Sequence, residues 1–465
     1  MTRAKFANLA TAVSVLALSF GGFHAAQAES LNDAIGMAYT QNPTLKRSRA
    51  SQRATDENYV QARSQLGPNL SADANVSYND RSDIAGNRSY SSASLSVNQT
   101  VFASGGLAAS LDASKASVKS GSESLRSTES AVLLDVISVY TAVRRDQQAL
   151  SISQDNYDIL KKQLDQTQAQ FEVGQLTRTD VAQSQARLAS SAAGLAQAQA
   201  QLDSDRASYV AIVGQSPVAL EVEPALPGMP ADFDAALAAA EANNPDLSSA
   251  LYAADAAKAQ VRSARSAYGP TVSLSASTGG SAPTGNLGNF MDNDATSAGV
   301  RLSIPLYSAG MISSRVRQAT ETYNAQLATV DVVRRQVVSS VAQAWSQMLA
   351  ARSAVASNKS QVDAAKVAAE GVQIEQSVGL RTNIEVLNAQ QELKSAQLAL
   401  IEAERNEYVA GGQLLSVVGG LTAQAFVPDI EVYDPQTNFD RVKGKGGSPI
   451  APIIQALDSL ASGGN

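Results

Sequence analysis

Two short segments carry polar residues at a spacing that points to a defined interaction. Thr177-Arg178-Thr179-Asp180 and Thr382-Asn383-Ile384-Glu385 each place a hydroxyl three residues before a carboxylate, the spacing of a capping box at a helix start. Arg381 precedes Glu385 by four residues, so the two can pair along one helical turn. Gly174 and Gly379 lie just ahead, where a glycine lets one helix end and the chain reverse. These residue types support capping and charge contact; bond-making chemistry would need a nucleophile or general base beside them.

The chain offers little of either. It has no cysteine and one histidine, His24. Residues 1–28 read as a secretory signal: Arg3 and Lys5 precede an apolar run from Leu9 to Phe20, and Ala26-Gln27-Ala28 supplies small residues for cleavage. The run is shorter than the roughly 20 residues of a spanning helix, so cleavage after Ala28 is expected rather than anchoring. The mature protein then lacks histidine too. Serine-histidine and cysteine-histidine nucleophiles, thiolate or imidazole zinc sites, disulfides and an N-terminal lipid-bearing cysteine are excluded. Neither a metal nor another cofactor is expected. Scattered carboxylates without a glycine-rich phosphate loop form no recognisable enzyme site. Net charge is −7, and losing Arg3 and Lys5 makes it −9, which argues against a nucleic-acid partner.

The elements that position the two segments are revealed by a duplication. Phe171-Glu-Val-Gly-Gln-Leu-Thr-Arg-Thr-Asp-Val181 returns 205 residues later as Gln376-Ser-Val-Gly-Leu-Arg-Thr-Asn-Ile-Glu-Val386. The same offset carries Val101-Phe-Ala-Ser-Gly105 onto Leu306-Tyr-Ser-Ala-Gly310, and Val210-Ala-Ile-Val-Gly214 onto Leu415-Ser-Val-Val-Gly419. Upstream, Asn42-Pro43 matches Asn244-Pro245 and Leu66-Gly-Pro68 matches Tyr268-Gly-Pro270 at an offset of 202. Three residues are therefore inserted between Pro270 and Leu306, in the Gly- and Asn-rich stretch from Gly279 to Asp294, which reads as a loop. A period this long makes each copy a multi-element half. The reading divides the chain into signal peptide (1–28), first repeat (29–216), proline-rich linker (217–230), second repeat (231–426) and C-terminal tail (427–465).

No proline lies between Pro68 and Pro217 or between Pro305 and Pro428, so long helices can run uninterrupted there. Val136, Val143, Leu150, Tyr157, Leu164 and Phe171 recur every seven residues, as do Val181, Leu188, Leu195, Leu202 and Tyr209. Val341, Met348, Val355 and Val362, then Val386, Leu393 and Leu400, repeat the register. These are coiled-coil seams. A continuous helix from Gly105 to Phe171 would be on the order of 100 Å long. Taken alone, such helices describe a coiled-coil spacer.

Ahead of each long helix the period changes from seven to two. Leu70, Ala72, Ala74, Val76 and Tyr78 alternate with polar residues, as do Ala93, Leu95, Val97 and Val101. The second copy repeats this in Val272, Leu274 and Ala276, then in Ala298, Val300, Leu302, Ile304 and Leu306. The runs have the length of tilted membrane strands, and Tyr78, Tyr90, Phe102, Tyr268 and Tyr307 mark their ends as aromatic girdles do. A soluble sheet with one wet face is the alternative. Four strands cannot close a barrel, and an open edge is not tolerated in lipid. Two chains would supply eight strands and three would supply twelve, both permitted.

The chain resembles the TolC family of outer-membrane export channels. The resemblance runs from about Ser30 to Leu421 and is sharpest in Gln163-Leu-Asp-Gln-Thr-Gln-Ala-Gln-Phe-Glu-Val-Gly174, followed by Asp180-Val181. It implies a mixed fold, with a membrane β-barrel above a coiled-coil α-helical barrel. Four strands per chain would build a twelve-stranded barrel in a homotrimer, with a helical tunnel crossing the periplasm. It also implies a periplasmic adaptor and an inner-membrane ABC or RND transporter as partners, beside outer-membrane lipid. By the same resemblance, Thr179, Asp180, Arg381, Glu385 and Asn388 line the periplasmic gate, and Gly174 and Gly379 form the adaptor-facing tip. Arg381 matches the gate arginine and Asp180 its acidic partner. Glu385 matches the first of two acids in a cation-binding ring; Asn388 stands at the second, and Gln376 replaces a tyrosine.

The implied function is a passive exit duct for polypeptide or small-molecule cargo, opening when adaptor binding unwinds the inner hairpins. A pore-less trimeric stalk is the competing reading, disfavoured by the strands. The tail, with Asp429-Ile-Glu-Val-Tyr-Asp-Pro435 and Val442-Lys-Gly-Lys-Gly-Gly447, resembles those of type I secretion members and so favours polypeptide cargo. Its plainer reading is an extended segment around the tunnel's middle with a frayed end at Ser462 to Asn465.

Overall fold

The computed structural model describes residues 29–79, 88–217, 219–284 and 294–460. The expected signal peptide and the chain end at 462–465 lie outside these residues.

The duplication is visible element by element. The first half contains α1 (Leu31–Gln41), α2 (Pro43–Ser64), β1 (Asn69–Asn79), β2 (Arg88–Phe102), α3 (Gly106–Glu172) and α4 (Arg178–Val213). The second repeats the order as α5 (Phe233–Asn243), α6 (Pro245–Ser266), β3 (Thr271–Pro283), β4 (Asp294–Ser303), α7 (Met311–Ser377) and α8 (Asn383–Val417). Both long helices, α3 and α7, have 67 residues, roughly 100 Å at 1.5 Å per residue. Asn42 and Asn244 cap α2 and α6 identically: each accepts two backbone N–H bonds and donates to the carbonyl of Ile212 or Val417.

The four strands form one antiparallel sheet in chain order. The observed pairs keep Leu70 with Val97 and Ala276 with Ala298 on one face, and Ser71 with Ser96 and Ser277 with Ser297 on the other. Leu70, Val76, Val300 and Leu302 are each more than 60% exposed in the single chain, so at these positions the apolar face is left uncovered by its own chain. Among the described residues no helix is long and apolar enough to cross a membrane.

Several strand details differ from the sequence expectation. β4 ends at Ser303, because its partner β3 begins at Thr271; Ile304 and Leu306 follow it. Gly279 to Pro283 belongs to β3 rather than to the loop, and 285–293 lies outside the described residues. A register shift between Thr100 and Phe102 moves Phe102 to the apolar face opposite Val272, as a β-bulge does. Tyr90 pairs with Ser77 and so sits on the polar face, away from the lipid-type face that Tyr78 occupies.

The main core lies where the hairpins α3–α4 and α7–α8 meet the short helices. Leu133, Val136, Ile137, Tyr140, Tyr209, Val341, Met348 and Leu414 are at most 2% exposed. Tyr140 Oη donates to the carbonyls of Glu29 and Glu221 at 2.8 and 2.9 Å, tying the start of the described chain to the inter-repeat linker. Arg144 pairs with Glu223 of that linker.

The tail is more structured than an extended wrap. After α9 (Ala423–Phe426), which closes the second repeat, α10 (Pro435–Val442) and α11 (Ala451–Leu460) carry it up to the strand–helix junction. Asn438 donates to buried Asp56 of α2 at 2.6 Å. The fully buried Asp458 accepts from the backbone N–H groups of Ala103, Gly105, Leu107 and Ala108 at 2.6 to 3.1 Å. It thereby caps α3, whose own N-cap, Gly105, has no side chain to do so.

Candidate functional site: the helical tip

Both hairpin turns end their first helix in the same way. Gly174 and Gly379 adopt φ of 78° and 82°, the left-handed conformation a glycine enters without steric cost. Gln175 N–H then reaches Gln170 O, and Leu380 N–H reaches Glu375 O, each at 2.9 Å, as in a Schellman closure. Thr177 and Thr382 start the returning helices.

The capping reading is realised at both turns. Asp180 Oδ2 accepts from Thr177 N and Thr177 Oγ1 at 2.9 and 2.7 Å. Glu385 Oε2 accepts the equivalent pair from Thr382 at 2.8 Å each. Bonds from the Thr177 hydroxyl and backbone hold the Asp180 carboxyl below its ordinary range. Glu385 is drawn further, down to about 2, by the Thr382 backbone, then the Thr382 hydroxyl and the Arg381 guanidinium. Both are therefore carboxylates at neutral pH.

Arg381 makes the tip of the second hairpin electrostatically distinct. Its Nε donates to Glu375 at 2.7 Å and its Nη1 to Glu385 at 2.9 Å, clamping the end of α7 to the start of α8. Within the chain it does not meet Asp180, whose described contacts are all with Thr177. Nη2 carries none of the described bonds of Arg381. Thr179 lies exposed in the first turn of α4. Asn388 accepts from Arg187 Nη2 of α4 at 2.9 Å, which brings the two hairpins together.

A buried network strengthens that connection, and it was not foreseen from the sequence. Gln163 Nε2 donates to Asn383 Oδ1 at 2.9 Å, and Asn383 Nδ2 donates to Ser184 Oγ at 2.9 Å. Ser184 contacts Thr167 Oγ1 at 3.4 Å, and Thr167 bonds back to the Gln163 carbonyl at 2.7 Å. All four residues are at most 7% exposed. The signal was present: Ser153, Asn156, Leu160, Gln163 and Thr167 are buried and fall at alternating three- and four-residue steps. The apolar row read as the seam is buried at Val136 and Val143, but Leu150, Tyr157 and Leu164 are only partly so and Phe171 is 43% exposed. Hydrophobic spacing marks which residues leave water, not which helix they meet. Toward the tip of the first hairpin the buried seam of α3 is polar apart from Leu160, and the apolar row is only partly buried; the second hairpin instead buries Ala365, Ala369, Val386 and Leu387 there.

Among the described residues no group of three His, Cys, Asp or Glu side chains is placed to hold a metal ion. What the site does within the chain is hold two helical hairpins together through charge and hydrogen bonds.

Comparison with known proteins decides the family. The family model described as Outer membrane efflux protein matches residues 34–215 and 236–420, one segment in each structural repeat. The chain belongs to that family. Outer membrane efflux protein BepC of Brucella suis biovar 1 is 33% identical over 422 residues, covering 90% of this chain and 92% of BepC. Outer membrane protein TolC of Escherichia coli K12 is 30% identical, with 97% of each chain covered. The solved outer-membrane channel OprN superposes with a TM-score of 0.73 over 84% of this chain and 90% of its own, at 22% identity, a likeness of fold. This outer membrane efflux protein therefore acts in the outer membrane as an export channel. The apolar sheet face is its lipid-facing surface, and the long hairpins form its helical tunnel.

Proposed function

We propose that three copies close a twelve-stranded barrel over a tunnel of twelve long helices, and that the tip described above is its periplasmic gate. The observation that carries this reading is the pairing, in one chain, of a largely exposed apolar sheet face with two hairpins whose first helices are roughly 100 Å long and whose tips are latched by polar contacts. Repeats at 29–216 and 231–426 would give the trimer a pseudo-sixfold ring of hairpins. A periplasmic adaptor and an inner-membrane ABC or RND transporter would deliver polypeptide or small-molecule cargo, and the channel itself would perform no catalysis.

In the closed state Arg381 holds Glu375 and Glu385, and its Nη2 edge is left for Asp180 brought by a neighbouring hairpin. Glu385, ionised at all physiological pH, lines the mouth. Asn388 in place of a second acid leaves one carboxylate per chain at these two positions, which weakens cation block. Replacing Arg381 with Gln and Asp180 with Asn should raise the bilayer conductance of the purified protein several-fold. Unchanged conductance in the double variant would refute the gate assignment.

A further inference from the structure

Four charged residues lie in the strands: Asp73 in β1, Arg88 in β2, and Asp294 and Arg301 in β4. Arg88 and Asp294 open their strands beside the outer loops. Asp73 and Arg301 lie within strand bodies, on the two edge strands. Asp73 pairs with Ser94 and Arg301 with Ser273, so both belong to the polar face. Both are exposed, and neither has an ion-pair partner in its own chain among the described residues. Inside one chain they cannot meet, because β2 and β3 separate their strands by about 14 Å.

The ladder shows where they would stand in a closed barrel. The row beginning at Asn69 crosses Asn98 and Ser275, whereas the lowest row of β3 and β4 is Thr271 with Ser303, four residues further down. At the upper edge Asn79 pairs with Arg88, two residues beyond the Tyr90–Pro283 pair, while β4 begins opposite Gly280; the descent there is five residues. Carrying this pitch from three strand steps to the fourth gives a stagger of about six residues per chain. A tilt of 35–45° with strands about 4.8 Å apart requires about four to six. The stagger must be even, or lipid and lumen faces would exchange. The row through Arg301 crosses Ser273 and Thr100 and would meet β1 two residues below Asn69. Six residues up from that point is Asp73.

We infer that Arg301 of each copy faces Asp73 of the next across the β4–β1 seam, so that three lumenal ion pairs fix the register in which the barrel closes. The inference rests on the three-chain reading above. The same register sets Ala72 against Leu302 and Ala74 against Val300 on the lipid face, small beside large along the seam. A charge pair is needed here because, below the row of Tyr90, the polar face is otherwise serine, threonine, asparagine and glycine with the single small Ala295, which specify register weakly. Opposite charges directly across a ladder are favourable and like charges are not.

The chain has no cysteine, so thiol cross-linking reads the seam directly. Full-length protein carrying Asp73→Cys with Arg301→Cys, isolated from outer membranes and treated with a short bifunctional thiol reagent, should run as covalent dimer and trimer. Ser71→Cys with Arg301→Cys tests a four-residue stagger; if that pair links and the first does not, the assignment is overturned, as it is if neither links in a protein that is trimeric by light scattering. A wild-type protein that is not trimeric would instead remove the reading on which the inference rests. In parallel, Arg301→Asp should abolish most heat-resistant trimer and the exchange Asp73→Arg with Arg301→Asp should restore it. Failure of the exchange to restore would contradict direct pairing.

Discussion

The amide of Asn383 lies 2.9 Å from that of Gln163 and donates onward to Ser184, so one side chain of the second hairpin bridges both helices of the first. Leaving a buried partner unsatisfied costs about 1–3 kcal/mol. Asn383→Leu should therefore loosen the tip and raise single-channel conductance, whereas Asn383→Gln should do so less. Conductance equal to wild type for the leucine variant would mean that the hairpins are held elsewhere.

The tip should tolerate mild acid. Glu385 is lowered from 4.5 to about 2 by the Thr382 backbone, the Thr382 hydroxyl and Arg381. Its contribution is fully present above pH 4.5 and is lost as pH falls through about 2. Conductance should stay flat from pH 7 to 5 and rise only in stronger acid, while Glu385→Gln should be raised at pH 7 and show a flatter profile. A wild-type rise already complete by pH 5 would contradict this.

A second pH dependence of opposite sign arises higher in the tunnel wall. Asp146 is 3% exposed; Arg145 Nη2 meets its Oδ1 at 2.6 Å and Asp205 at 3.3 Å, and Arg145 Nη1 meets Glu402 at 2.8 Å. Burial, then the neighbouring Asp205 carboxyl, pushes the Asp146 carboxyl up to about 7, and its Oδ2 has no hydrogen-bond partner. The folded protein thus holds a proton that the unfolded chain releases near 3.8. Stability from this group falls between those values as pH rises and is flat above them. Asp146→Asn should raise the melting temperature at pH 8, by about 2 kcal/mol of stability, and change it little near pH 4. An equal effect at both pH values would exclude a buried proton on Asp146.

Asp458 braces the junction between sheet and tunnel. Asp458→Ala leaves four backbone N–H groups of the α3 start without their acceptor and should cost about 2–4 kcal/mol. Asp458→Asn, which keeps one acceptor oxygen, should cost less. Thermal unfolding in detergent measures both; an unshifted alanine variant would show that the tail is dispensable there.

Much of this molecule was legible in its sequence because duplication, proline-free stretches and the change from period seven to period two are properties of the chain itself. The helix limits at Gly105 and Phe171, and the capping boxes at Thr177 and Thr382, followed from local rules and stand within a residue or so of the structure. Contacts between elements were harder to read. Gln163 and Asn383 lie 220 residues apart, and their burial depends on which face of α3 meets α8. Asp458, from a tail with no duplicate, could not be assigned to the start of α3 by any repeat. Phe102 changed faces because a single bulged residue reverses strand parity, which alternation alone does not reveal, whereas the polar-face position of Tyr90 follows from the even-numbered parity of Ser92, Ser94 and Ser96.

The central claim, an outer-membrane exit duct, is tested most directly by recording from purified mature protein in planar lipid bilayers. Discrete, uniform conductance steps, small in the wild type and enlarged when Arg381 and Asp180 are neutralised, are the predicted result. Protein that stays soluble without detergent and produces no steps in either form would contradict the account and favour a pore-less coiled-coil stalk.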